Sequence, residues 1–125
     1  MFGRIVVVHA SKPTIKTVDL KSDMPPVREA LQRLDREIAA ARKTTSPLLK
    51  IVHGYGSKGV GGEIRIAVQK RLHELAEAGQ IRGCIFGEDW SKTCDETWQL
   101  LQSQPGLKDD PDLGRHNIGI TIVLL

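Results

Sequence analysis

The sequence predicts a small α/β fold in which short apolar strands alternate with amphipathic helices. The length of 125 residues suits one domain, and aromatic residues make up only 4%, so its core should be aliphatic. Short apolar runs alternate with segments whose apolar positions recur at helical spacing. A glycine-rich segment also stands between one predicted strand and the following helix, which is where α/β proteins bind ligands.

Composition excludes several classes of protein. Apolar residues make up 40% and charged residues 26%, as in ordinary globular proteins, so a disordered or fibrous chain is excluded. No apolar run reaches the roughly 18 residues of a membrane span, and no signal-peptide pattern is present. Cys84 and Cys94 match no metal-ligand spacing and no disulfide framework. We therefore expect a soluble cytoplasmic protein with free thiols and no membrane partner.

Charge is distributed unevenly along the chain, whose net charge is +3. Residues 1–75 hold 14 basic and 7 acidic side chains, a balance of +7, and residues 76–125 hold 4 basic and 8 acidic, a balance of −4. A basic region beside an anion site suits a polyanion, because neutralised phosphates release condensed counterions. The alternative is a solvated helix face rich in arginine.

The first elements are two strands and a helix. Residues 4–9 and 15–20 are β-branched segments separated by a turn at Pro13, which predicts a hairpin or an edge strand. Ser22-Asp23-Met24-Pro25-Pro26 should start a helix, since proline is tolerated in a first turn. Its apolar stripe consists of Val27, Ala30, Leu31, Leu34, Ile38 and Ala41.

Three further strands and one helix follow the same alternation. The predicted strands cover Leu48–Val52, residues 81–86 and residues 118–125, and a helix covers residues 63–78. Strands joined by helices favour parallel pairing, so the carboxyl ends of the first strands should meet at one edge of the sheet. The acidic residues 107–114 alone resemble a linker.

A third helix is predicted over residues 91–102, before the last strand. Thr93 and Glu96 have the spacing of a capping box that would open it. Its expected apolar stripe consists of Cys94, Trp98 and Leu101. Trp90 and Trp98 are expected to anchor this helix to the domain.

The glycine-rich residues 53–62 have the properties of an anion site. Their glycines expose amide groups, the next helix contributes the partial positive charge of its N-terminus, and Lys58 adds a full charge. A nucleotide-binding P-loop is excluded, because Gly62-Glu63 stands where that motif needs lysine and serine or threonine. Gly54, Gly56 and Gly59 do match a dinucleotide fingerprint, but the acidic residue expected about 20 positions later is missing. A nucleotide-binding domain is therefore the weaker alternative.

The chain resembles the small MutS-related (Smr) family in four places. Val18-Asp19-Leu20-Lys21 matches that family's first motif, of Leu-Asp-Leu-His type, in three of four positions, allowing valine for leucine. His53-Gly54-Tyr55-Gly56 matches its second motif, His-Gly-x-Gly, in full. Glu63-Ile64-Arg65 is similar to its helix opening, and residues 119–124 are similar to its final strand. The resemblance runs from about Thr17 to Leu125.

The resemblance implies a fold and a function. The fold would be a two-layer βαβαββ domain with a mixed sheet, similar to the C-terminal domain of translation initiation factor three. It would cover residues 1–125, with residues 1–16 as an N-terminal strand extension and residues 91–116 as an inserted helix and loop. The function would be nucleic-acid binding, to branched or duplex DNA or to structured RNA. Several relatives nick DNA, and others act on RNA or bind ribosomes.

Carried over by motif, Asp19 and His53 fall on proposed active-site positions. Lys21 stands where the family has a histidine, which places one proton-transfer group in doubt. His53 can act as acid or base, since the ordinary pKa of histidine is about 6.5. Asp19 would orient it or hold a divalent metal such as magnesium or manganese, and Lys21 would stabilise phosphate charge. The expected nucleic-acid contacts are Gly54, Tyr55, Gly56, Lys58 and Arg65.

Two functions remain open from the sequence. The domain is an endonuclease that cleaves phosphodiester bonds, or a non-catalytic module that holds DNA or RNA at the same site; the lysine at position 21 favours binding over turnover. Simpler structural roles compete at each position. Asp19 can cap a helix start, His53 can bond a backbone group, and Tyr55 can stack on a base or fill the underside of the loop.

Overall fold

A computed structural model of the chain describes residues 15–44, 47–55 and 61–125. The predicted strand over residues 4–9, and Gly56 and Lys58, lie outside these ranges. The strands are β1 (Ile15–Asp19), β2 (Leu48–Val52), β3 (Gly83–Phe86) and β4 (Ile120–Leu124), and the helices are α1 (Val27–Arg42), α2 (Gly61–Glu77) and α3 (Asp95–Ser103). Two 3₁₀ helices, Gly87–Asp89 and Pro105–Asp109, flank α3.

The four strands form one mixed sheet in the order β1-β2-β4-β3. β1 and β2 are parallel, and β4 is antiparallel to both of its neighbours. The prediction of a small α/β domain with a mixed sheet is therefore confirmed. The carboxyl ends of β1, β2 and β3 and the start of β4 meet at one side of the sheet, called here the carboxyl edge, which comprises residues 19–24, 53–55, 87–89 and 117–119.

Helices α1 and α2 cover the first face of the sheet. The stripe predicted for α1 packs there, with Leu34 fully enclosed and Val27 and Leu31 partly buried, and α2 contributes Val68 and Leu72. From the sheet, Leu49, Ile51 and Val123 complete this aliphatic core. No helix of the described ranges is long and apolar enough to cross a bilayer.

The second face of the sheet is also covered, so the structure has three layers where the sequence predicts two. Side chains of β2 and β4 alternate between the faces, and their near-continuous apolar sequences leave a second apolar face to bury. The segment 87–119 covers it. The second core consists of Leu48, Ile85, Ile120 and Ile122 from the sheet and Trp90, Leu101 and Leu107 from this segment.

A buried cation joins this third layer to the sheet. Lys50 lies in the middle of β2, and its ammonium group donates to Asp110 at 2.6 Å and to Asp112 at 2.7 Å. The Trp90 indole also donates to Asp110, at 3.0 Å. Burial raises the pKa of Asp112, but hydrogen bonds from Lys50 and Asn117 outweigh it and hold that pKa below its ordinary value. The acidic stretch that resembled a linker is thus fixed to the centre of the sheet.

The start and the orientation of α3 differ from the sequence prediction. The helix begins at Asp95, and Thr93 caps nothing, because its hydroxyl is hydrogen bonded to that of Ser91. The buried Thr97 hydroxyl donates to the Asp89 carbonyl at 2.7 Å, which turns the face of Thr97 and Leu101 inward. Trp98 is one helical step away and is therefore 47% exposed. Trp90 is the buried tryptophan that anchors this layer.

Other boundaries shift by a few residues. β3 begins at Gly83 and β4 at Ile120, each two positions later than predicted, and α2 begins at Gly61, two positions earlier. Such shifts are ordinary at the ends of elements, where the hydrogen-bond pattern frays.

We expect Lys50→Met to lower the free energy of unfolding by about 3–5 kcal/mol, because it leaves two carboxylates without their cation. Lys16→Met is the matched control. It removes an exposed ion pair with Glu37, at 3.1 Å, which should contribute no more than about 1 kcal/mol. Urea unfolding at pH 7 measures both variants. Equal losses in the two variants would show that the buried cluster does not hold the third layer.

Candidate functional site

The two predicted motifs meet at the carboxyl edge. Asp19 is the register partner of Val52, and the Leu20 amide donates to the Val52 carbonyl at 2.8 Å. Lys21 and His53 therefore follow adjacent strand ends, as the parallel pairing of the sequence prediction requires. The structure brings the backbones of the motifs together.

Asp19 has a local structural role at this edge. Its carboxylate is exposed and accepts hydrogen bonds from the amides of Lys21 at 2.9 Å and Ser22 at 3.0 Å, and from the Ser22 hydroxyl. Burial raises the pKa of Asp19, but these hydrogen bonds outweigh it and leave the pKa below its ordinary value. The carboxylate thus stays ionised and fixes the turn that leads towards α1.

Asp19 and His53 lie on different faces of the sheet. Asp19 is paired with Val52, whose side chain packs with the second core. His53 is the next residue, and its side chain lies on the other face, against Thr121. The two proposed catalytic groups share an edge but do not contact each other.

His53 is completely buried, and both of its ring nitrogens are occupied. Nδ1 lies 2.7 Å from the carbonyl oxygen of Gly54, which only accepts, so Nδ1 carries the proton and donates. Nε2, 2.8 Å from the Thr121 hydroxyl, then accepts. Burial lowers the pKa of His53 and the charge of Arg65 lowers it further, against the opposing effects of the Gly54 hydrogen bond and Glu88. The imidazole is therefore neutral at physiological pH.

Tyr55 emerges from the same turn onto the surface. Gly54 has a φ of 76°, a conformation that favours glycine, and its amide and that of His53 both donate to the Gly119 carbonyl at 3.0 Å. A side chain at Gly119 would lie 3.1 Å from Cδ1 of Tyr55, so the absence of one lets the ring sit against the backbone. The Tyr55 side chain remains 53% exposed.

The position of Gly119 is fixed from the third layer. Asn117 donates to Asp112 at 3.1 Å and accepts from the Gly119 amide at 2.9 Å. Gly87 gives the chain room to pass, because a Cβ there would lie 1.7 Å from the Asn117 carbonyl oxygen. A continuous chain of hydrogen bonds thus links the cluster of Lys50, Asp110 and Asp112 to Gly119, the residue against which the Tyr55 ring lies.

Arg65 lies at the carboxyl edge and has a counter-ion, Glu88, that is not among the predicted site residues. Its guanidinium lies 3.3 Å from the Glu88 carboxylate, and both side chains are partly buried. One oxygen of Glu88 and Nε of Arg65 are buried and have no hydrogen-bond partner among the described residues. Glu88 stands two residues after the end of a predicted strand, at the edge where α/β proteins bind ligands, and this position is the signal that could have identified it. With its charge balanced, Arg65 is a less available phosphate ligand than the sequence suggested.

Cations extend from the carboxyl edge along α1. A groove of about 300 Å³ lies between β1 and α1, where Lys16, Arg33 and Arg36 are among the lining residues. Lys16 and Arg33 are paired with glutamates. Arg28 and Arg36 have no ion pair with any residue of the described ranges, and both line an adjoining hollow of about 600 Å³ on the outer face of α1. These arginines were not among the predicted contacts, although their helical spacing of eight positions places them on one face.

The two sides of the sheet carry opposite charge. Residues 15–44 hold seven basic and five acidic side chains, a balance of +2. Residues 87–119 hold three basic and seven acidic side chains, a balance of −4. The uneven charge along the sequence therefore becomes an acidic third layer and a mildly basic region beside β1.

Of the predicted site residues, Lys21, Gly54 and Tyr55 reach the carboxyl edge, where each is at least partly exposed, while Gly56 and Lys58 lie outside the described ranges. No group of three histidine, cysteine or acidic side chains within those ranges converges as a metal site requires. Cys84 and Cys94 are free thiols, and burial raises the pKa of Cys84. A scan against protein-family models and searches of curated proteins and of solved structures give no match.

The burial of His53 predicts how stability depends on pH. Because the pKa of His53 is lower in the folded than in the unfolded chain, the unfolded chain binds more protons just below about pH 6.5. The free energy of unfolding should fall on acidification from about pH 7.5 to 5.5, and this one group can contribute a slope of at most about 1.4 kcal/mol per pH unit. His53→Gln should remove this His53 contribution, as measured by urea unfolding across the range.

His73→Gln is the control, since His73 lies on the exposed side of α2 beside Phe86. It should retain the slope. A His53→Gln variant with the same slope as the wild type would show that the buried imidazole is not the group that titrates.

Proposed function

We propose that the chain binds nucleic acid at the carboxyl edge and along the adjoining face of α1, and that it does so without cleaving the backbone. The observation that carries this proposal is the arrangement of Lys21 and Tyr55. One exposed cation and one exposed aromatic ring follow adjacent strand ends, beside arginines of α1 that lack ion pairs within the described ranges. Cations suit phosphates, and an exposed ring suits a base.

The distribution of charge favours the approach of a nucleic acid from the side of α1. The third layer, with its balance of −4, repels a polyanion, whereas α1 attracts it. Arg28 and Arg36 are eight positions apart, about 12 Å along the helix. Phosphates can therefore be held along α1 while bases lie at the carboxyl edge.

The chemistry of the edge supports binding rather than turnover. A general base must reach the proton that it removes, and both nitrogens of His53 are engaged inside the protein. Asp19 is held by the turn that follows it, and lysine at position 21 is suited to stabilising charge. These three side chains have roles in binding and in structure that need no reaction.

The Smr assignment belongs to this proposal. The order of the elements, with α3 inserted before β4, is compatible with the βαβαββ arrangement of that family and of the C-terminal domain of translation initiation factor three. The two motifs also meet at the ligand-binding edge of the sheet. In this interpretation the histidine of the second motif stabilises the loop that presents the residue between the glycines.

The test has two measurements on one preparation. Fluorescence polarisation with labelled duplex DNA, branched DNA and a structured RNA measures binding, and a supercoiled plasmid with magnesium or manganese measures nicking. We expect binding that weakens with salt, and no nicking above that of a mock preparation. Metal-dependent nicking that is lost in Lys21→Ala would support the endonuclease instead, and no binding to any nucleic acid would refute both.

We expect Arg36→Gln to weaken binding to all sequences alike, because it removes a cation that neutralises a phosphate. The slope of log K against log salt should fall by about 0.9 on duplex DNA for each phosphate that is no longer neutralised. Arg82→Gln is the matched control, since Arg82 is exposed and lies just before β3, at the opposite side of the sheet. Equal effects of the two substitutions would place the phosphates elsewhere than on α1.

A further inference from the structure

Exposed apolar side chains are concentrated at the carboxyl edge. Of five large apolar side chains that are exposed within the described ranges, Met24, Tyr55 and Ile118 lie in the loops of this edge, and Ile66 and Trp98 lie on helices. Ile118 immediately precedes the glycine on which Tyr55 sits. Single exposed apolar residues are normal, but several at one edge beside cations indicate a binding surface.

The backbone that carries Met24 is strained. Asp23 and Met24 are consecutive residues with φ values of 68° and 45°, a conformation that side chains other than glycine rarely adopt. The Met24 amide donates to the Lys21 carbonyl at 3.0 Å, which closes the turn. Packing of the side chain does not compensate for the strain, because Met24 is 57% exposed. Strain held at an exposed position is typical of functional surfaces.

Tyr55 is prepared for stacking. The Gly119 backbone supports the ring from one side, and its exposed area remains open to a ligand. A ring that is already held in place loses little conformational entropy when a planar group stacks on it. The turn at Gly54 therefore presents an exposed aromatic ring at the same edge of the sheet as Lys21.

From this arrangement we propose that the ligand of the carboxyl edge is single-stranded or locally unpaired nucleic acid, with one unpaired base stacked on Tyr55 and flanked by Met24 and Ile118. This inference rests on the proposed function and narrows its ligand. A continuous duplex keeps its bases stacked on one another, so it offers no open base face on which an aromatic ring could stack. An unpaired base offers both faces, and Lys21 and Arg28 are placed to hold its phosphates.

The experiment uses the fact that Tyr55 is the only tyrosine of the chain. Protein labelled with 3-fluorotyrosine has one fluorine resonance, which reports on this ring alone. The first probe is an oligothymidine strand of about twelve nucleotides, a length within the range of known single-strand binding sites. The second probe is the duplex of this strand with the complementary oligoadenosine strand, and the third is an abasic strand of the same length. We expect the resonance to move with the thymidine strand and to stay in place with the other two probes.

Binding of the thymidine strand is then compared among variants by fluorescence polarisation. Tyr55→Ala should weaken it by about 5- to 150-fold, the usual effect of losing one stacked base, and Tyr55→Phe should retain it. Trp98→Ala is the matched control, because Trp98 is similarly exposed but lies on the acidic third layer. Thermal unfolding of each variant confirms that it is folded.

The outcomes separate this inference from the proposed function. If the duplex binds as tightly as the single strand and Tyr55→Ala changes neither affinity, the apolar surface takes no base, and salt-dependent binding of nucleic acid still stands. If no probe binds at any salt concentration, the proposed function itself fails. An unmoved fluorine resonance in the presence of a bound single strand also overturns the stacking, and would favour a protein as the ligand of this surface.

Discussion

Lys50 holds the molecule together across its sheet. Its ammonium group lies in an otherwise apolar face of the central strand β2, where burying a lone charge would cost several kcal/mol. Asp110 and Asp112 remove that penalty, and both come from the segment that must cover this face. The lysine is therefore tolerated only when the third layer is in place, and the third layer is in register only when its carboxylates reach the lysine. One interaction thus specifies where the chain must return, 60 positions further along the sequence.

The same interaction reaches the candidate site. Asp112 also accepts from Asn117, which in turn accepts from the Gly119 amide, and the Gly119 carbonyl receives the amides of His53 and Gly54. Each link is an ordinary hydrogen bond, but together these bonds fix the position of Gly119, beneath the Tyr55 ring, relative to the centre of the sheet. The segment that this cluster fixes to the sheet carries a charge balance of −4, whereas residues 15–44, which form β1 and α1, carry a balance of +2.

Local patterns in the sequence predicted those parts of the structure that local patterns determine. The stripe of α1, the buried strand β2 and the meeting of the first motif with His53 follow from periodicity and from parallel pairing. The third layer does not, because Lys50 and Asp110 are far apart in sequence and no period connects them. Trp98 is exposed because the neighbouring face of Thr97 and Leu101 packs inward, where Thr97 donates to the Asp89 carbonyl and Leu101 joins the second core. The burial of His53 likewise depends on Thr121, which pairs with β2 only in the folded sheet.

His53 shows how one motif can be interpreted in two ways. A histidine before a glycine-rich loop suggests proton transfer, since its ordinary pKa lies near neutrality. At this strand end, however, a small planar ring must donate to the Gly54 carbonyl on one side and accept from the Thr121 hydroxyl on the other, which a neutral imidazole does with one tautomer. Gly54 then turns the chain with its positive φ, and the next residue leaves the sheet over Gly119. The histidine and the glycine together position the side chain of the next residue. The chemistry of the edge therefore depends on the identity of that residue, which in this chain is Tyr55.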